Sequence, residues 1–86
     1  MSNFILSEHA KKVIAERQID VKWINQTCRK PDHVEKDKKN INLEHRLKII
    51  PVFDDRVLRV VCNVESNPLL IVTAFPARRM DGLIEE

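Results

Sequence analysis

The residues of this chain that could do chemistry are mostly basic. They include three histidines (His9, His33 and His45) and the cations Lys30, Arg46, Lys48, Arg56, Arg59, Arg78 and Arg79. A guanidinium group suits phosphate, because its planar fork makes paired hydrogen bonds and it never loses its charge. Grouped together, such side chains could hold an RNA backbone and stabilise the extra charge on phosphorus in a transition state. Surface arginines of a small sheet protein would give the same list without that role. His9 falls in the first turn of an expected helix, where its imidazole could hydrogen-bond a partner or simply cap and pack. A metal centre has little support: Cys28, Cys62, His9, His33 and His45 form no CxxC, HxxxH or comparable pair. Both cysteines sit inside apolar patterns, which predicts small buried hydrophobes rather than a disulfide or a nucleophile.

These residues must be positioned by a small frame. Eighty-six residues with 43% hydrophobic content support one domain over residues 1–86, with 76–86 as a tail that need not join the core. A single glycine, Gly82, excludes a glycine-rich phosphate loop and with it P-loop and Rossmann enzymes. No apolar run approaches the ~20 residues of a membrane span. Met1-Ser2-Asn3 carries no basic leader segment, so a cytoplasmic protein away from membranes is expected. Net charge is only +2, but 29–48 holds seven basic and four acidic residues, a mild basic stripe.

The pattern changes once along the chain. Ser7 reads as an N-cap, with Ala10, Val13, Ile14 and Arg17 at helical spacing after it. Asp20 opens a second helix, flanked by Ile19 and Ile24 as a hydrophobic staple, and Pro31 ends it. Helices are therefore expected over 7–17 and 20–30. Beyond Pro31, 33–37 reads as a short edge strand and 38–40 as a turn. Leu43, His45, Leu47 and Ile49 alternate with Glu44, Arg46 and Lys48, the period of a half-buried strand. Longer strands are expected over 43–53, 56–65 and 69–76. The predicted fold class is α+β: two N-terminal helices packed on a mostly antiparallel sheet of three to four strands. Ala10, Val13, Ile14, Ile24, Cys28, Leu58, Val60, Cys62, Ile71 and either Val72 or Thr73 should form the core.

Four short motifs occur in order. They are Ser7-Glu8-His9-Ala10 with Ala15-Glu16-Arg17-Gln18-Ile19, then Pro31-Asp32, Arg56-Val57-Leu58-Arg59-Val60-Val61, and Val72-Thr73-Ala74-Phe75. Over about residues 5–80 this resembles a small bacterial domain of unknown function with an HA…ERxI…PD…LRVV…VTAF pattern. That domain is similar to toxins of the BrnT and RelE/ParE type. The resemblance implies a RelE/BrnT-like fold and a toxin–antitoxin protein that cleaves RNA during translation without metal or other cofactor. It implies RNA or the ribosome as target and an antitoxin as protein partner. On that basis His9, Arg59 and Arg78 are the candidate catalytic residues, and Arg17, His45, Arg46 and Arg79 the candidate RNA contacts. Arg17 has the plain alternative of a salt bridge with a nearby carboxylate. The chain departs from the pattern at Val13, where the family often has arginine, and at Asp54-Asp55, where its hairpin is commonly glycine-rich. The alternative is a non-catalytic protein- or nucleic-acid-binding module of the same fold.

Overall fold

Ser7 and Asp20 start the two helices, and the rest of the fold follows from where those helices bury their apolar stripes. The computed structural model describes residues 4–53 and 55–77. Helix α1 spans Glu8–Arg17 and α2 spans Val21–Arg29. The Ser7 hydroxyl accepts from the Ala10 N–H at 3.0 Å and donates to the Val72 carbonyl at 3.0 Å. One side chain thus begins α1 and ties it to the last strand. Asp20 Oδ1 accepts from the Lys22 N–H at 2.8 Å. These bonds satisfy first-turn amides that have no partner within the helix. Gln18 closes α1 in the left-handed conformation (φ 55°), and the Ile19 N–H returns to the Ile14 carbonyl at 3.0 Å. That turn drops Ile19 into the core beside Ile24, where the staple was expected.

Five strands make one sheet: β1 (Phe4–Leu6), β2 (His33–Lys36), β3 (Leu43–Ile50), β4 (Arg56–Asn63) and β5 (Leu69–Ala77), in the order β1-β5-β4-β3-β2. Strand β1 runs parallel to β5, with Phe4 opposite Leu69, and the other pairs are antiparallel. The class remains α+β, but the expected sheet of three to four mostly antiparallel strands is corrected to a five-stranded mixed one that begins before α1. A strand of three residues is too short for alternation to show. Its partner lies at the far end of the chain, so no local pattern announces the pairing. The expected strand over 43–53 also stops early. Pro51 cannot donate to a ladder, and Pro51–Phe53 form a single 3-10 turn.

Both helices cover the same face of the sheet. Ala10, Ile14, Ile19 and Ile24 pack there against Ile50, Leu58, Val60, Cys62, Ile71 and Ala74. Cys28, Val72 and Thr73 are only half-buried, short of the core positions expected for them. Cys28 and Cys62 are free thiols. Strand β3 turns its charged residues, not its alternating Leu43, His45, Leu47 and Ile49, toward the helices: Glu44, Arg46 and Lys48 lie opposite Cys62, Val60 and Leu58. The reason lies in α2. Arg46 Nη1 donates to the Cys28 carbonyl at 2.9 Å and Lys48 Nζ to the Lys30 carbonyl at 3.1 Å. Two cations from a strand thereby cap the negative end of a helix.

Candidate functional site

With Arg46 and Lys48 turned to the helix side, strand alternation sends His45 and Arg59 to the other face. Among the described residues no helix covers that face. Its floor is apolar, with Leu47 and Val57 buried beside Ala77. Leu47 pairs with Arg59, and His45 with Val61 one step along the ladder. This stagger lets Arg59 reach back diagonally, and its Nη1 lies 2.7 Å from His45 Nδ1. The other ring nitrogen, Nε2, is 2.8 Å from Asp37 Oδ1. On its far side Arg59 Nη1 is 3.5 Å from Glu35 Oε1, and His33 Nε2 is 3.3 Å from Glu35 Oε2. The result is a continuous polar chain, Asp37–His45–Arg59–Glu35–His33, across β2, β3 and β4.

The partners fix the tautomer. A guanidinium has donors only, so Nδ1 accepts from Arg59 and Nε2–H donates to Asp37. Asp37 does a second task. Its Oδ2 accepts from the N–H groups of Lys39 (3.0 Å) and Asn40 (2.9 Å), which sets the turn carrying Lys38 and Lys39. The His45 N–H, and after it these two amides, hold the Asp37 carboxyl below the usual carboxylate range. The carboxylate therefore stays charged opposite the imidazole. Glu35, Lys36, Asp37, Lys38, Lys39, His45 and Arg59 together line an open cleft of about 270 Å³. Its make-up is a fixed imidazole beside a guanidinium, the carboxylates of Asp37 and Glu35 that pair with them, and lysines on the rim. That set can accept a proton, bind an anion and stabilise charge developing on it.

The other candidates are placed differently. His9 and Arg17 are exposed on α1, whose buried side packs on the opposite face, so neither joins this cleft. Arg46, expected as an RNA contact, is on the helix side, away from this cleft, and is held by Glu44 (Nε to Oε1, 2.8 Å) and the Cys28 carbonyl. Arg78 and Arg79 lie outside the described residues, as does Asp54 of the departing hairpin. Of the sequence candidates, the structure therefore brings together His45 and Arg59. Asp37 and Glu35 were missed, and His33 was weighed only as a metal ligand, because the segment read as a charged edge strand. A signal was present: His33, Glu35 and Asp37 alternate onto one face, and the short hairpin turn returns the chain to His45.

Burial pushes the Cys28 thiol up to about 12, with the nearby Cys62 adding to the shift. Burial raises Cys62 as well, and its thiol donates to the Glu44 carbonyl at 3.5 Å. Neither offers a thiolate near neutral pH. Among the described residues, no three His, Cys, Asp or Glu side chains are grouped to hold a metal ion, and no helix is long and apolar enough to cross a membrane.

One family model matches residues 6–76: Domain of unknown function (DUF4258). The chain belongs to this family. The match spans α1 through nearly all of β5, so the cleft residues of this DUF4258 domain fall inside it. No curated protein and no solved structure matches the chain. The finding gives a domain of unknown function, and nothing in it extends to BrnT, RelE or ParE toxins.

Proposed function

We propose that this domain binds single-stranded RNA in the cleft around His45 and Arg59 and cleaves it without a metal, in the manner of a toxin that an antitoxin restrains. The observation that carries the reading is the Asp37–His45–Arg59 chain, an oriented imidazole in contact with a guanidinium inside a lysine-rimmed cleft. In the proposed step Arg59 exchanges His45 Nδ1 for a non-bridging oxygen of the scissile phosphate. That exchange frees the Nδ1 lone pair. The ribose 2′-oxygen attacks phosphorus as its proton passes to Nδ1, and the bond from phosphorus to the 5′-oxygen breaks. The leaving oxygen takes a proton from water, and the proton on Nδ1 passes to the hydroxide left behind, which restores the neutral imidazole. The products are a 2′,3′-cyclic phosphate and a 5′-hydroxyl. Asp37 stabilises the imidazolium formed on the way, and the rim lysines hold the flanking backbone.

The contact between Arg59 and Nδ1 also favours a second reading, a binding module without chemistry, in which that hydrogen bond persists with RNA bound. Expression of the protein alone in a bacterial host, with RNA ends mapped after induction, separates the two. Growth arrest with new 5′-hydroxyl ends, lost in His45→Gln, is expected. Arrest without new ends supports the binding module, and normal growth without new ends overturns cleavage.

A further inference from the structure

A second cleft lies at the C-terminal end of α2, on the helix side of the sheet. We infer that it binds a further phosphate of the same RNA strand, so that the domain grips RNA on both sides of the edge strand β2. This rests on the reading of the first cleft as an RNA site. The second cleft, about 280 Å³, is lined by Asn25, Gln26, Arg29, Lys30 and Lys48, with no carboxylate among them.

A helix C-terminus ordinarily repels anions, because its last carbonyls point outward. Here three of them have partners. Arg46 holds the Cys28 carbonyl, Lys48 the Lys30 carbonyl, and the Lys30 N–H the Gln26 carbonyl at 2.9 Å. The negative pole of α2 is thereby offset from within the protein. Lys48 has a distant carboxylate in Asp32 at 3.8 Å, whereas Arg29 and Lys30 make no ion pair among the described residues. Their charge is available to a ligand, beside two side-chain amides that can donate to phosphate oxygens.

The sheet relates this cleft to the first one. Asp32 meets the Leu47 carbonyl at 2.8 Å and so places the start of β2 next to Lys48. The end of β2 leads into the lysine turn of the first cleft. The two clefts therefore sit at opposite ends of a four-residue edge strand, on opposite sides of the sheet. At ~3.3 Å per residue the strand covers ~13 Å. Lys36 is exposed at the first-cleft end of β2, where it lines that cleft while its ladder position faces the helix side, so it begins the path over the edge. A single strand laid over this edge passes from Arg59 across Lys36 to Arg29 and Lys30. A dinucleotide, with its one phosphodiester, cannot occupy both ends.

The test compares a decanucleotide of single-stranded RNA with a dinucleotide, on the whole protein, across a range of salt. For Arg29→Gln with Lys30→Gln, the slope of log affinity against log salt for the decanucleotide should fall by about 1.4, two contacts at about 0.7 each. Dinucleotide binding should stay unchanged. The charge-keeping pair Arg29→Lys with Lys30→Arg should behave like the parent. A measurement without variants guards against misfolding: a decanucleotide carrying photoreactive uridines should crosslink to the 25–30 peptide as well as to 36–45. If the decanucleotide slope is unchanged while Arg59→Ala weakens both ligands, the second cleft is refuted and the first stands. A parent that binds neither RNA refutes both. Binding of an acidic peptide at α2 that leaves RNA binding unaffected also overturns the inference and points to a protein partner.

Discussion

Replacing Arg46 by alanine separates its structural role from an RNA-binding role more sharply than any other change in the chain. Its side chain is about one-fifth exposed and makes two charge-assisted hydrogen bonds, to Glu44 at 2.8 Å and to the Cys28 carbonyl at 2.9 Å. A hydrogen bond from a charged group contributes about 1.5–3 kcal/mol, and a partly exposed ion pair about 0–1 kcal/mol. The alanine variant also leaves the Cys28 carbonyl without that donor at the end of α2, beside the packed face of β4. A loss of about 2–3 kcal/mol follows, a large part of the ~5–10 kcal/mol that holds a domain of this size together. At roughly 4–8 °C per kcal/mol, the melting temperature should fall by at least about 8 °C. Trp23, the only tryptophan, packs tilted at 35° against Phe53 with ring centroids 4.7 Å apart and gives an intrinsic fluorescence probe for urea unfolding. Arg46→Lys keeps the charge but not the fork, so it should recover part of the loss. A cost below about 0.5 kcal/mol, together with weakened RNA binding, would refute this reasoning and restore Arg46 as an RNA contact.

Other outcomes follow from single contacts. Val60 is fully buried between the helices and the sheet, so Val60→Ala should cost about 2 kcal/mol in urea unfolding, with a loss under about 0.5 kcal/mol reversing the assigned face of β4. Asp37 has its carboxyl held below the usual 3.8 by His45 and two backbone amides. A depressed acid contributes stability that is present above its unfolded value and lost as pH falls through the folded one. The difference in urea midpoint between the parent and Asp37→Asn should therefore be largest near pH 6 and shrink toward pH 3. A difference constant over that range would mean that Asp37 is not charged against His45.

Much of the fold was legible because its signals are local. Ser7 and Asp20 are capping residues followed at once by helical spacing, and both caps form. Leu58, Val60 and Cys62, expected in the core, do line the helix side of β4, although Val57 and Val61 are buried on its other face as well. Three features escaped because they depend on distant partners. β1 is three residues long and pairs with a strand at the other end of the chain. The charged face of β3 turns inward because α2 ends with carbonyls that Arg46 and Lys48 can reach, a relation that periodicity does not encode. In the candidate site, the neighbouring strands of His45 and Arg59 could be read from the hairpin order. Asp37 could not be weighted in the same way, since its importance arises from one carboxylate serving both a turn and an imidazole. His9 and Arg17 looked suitable by residue type, yet α1 packs its apolar stripe on the far face of the sheet.

Cleavage of a short, end-labelled RNA by the purified protein, with chelator present, tests the proposed role of His45 and Arg59 most directly. The parent should release a fragment ending in a 2′,3′-cyclic phosphate. His45→Gln should slow this by about 100-fold or more while binding persists, since glutamine hydrogen-bonds but cannot take up the proton. Arg59→Ala should weaken both binding and cleavage. A folded parent that leaves the RNA intact, or a His45→Gln variant that cleaves at the parent's rate, would contradict the account.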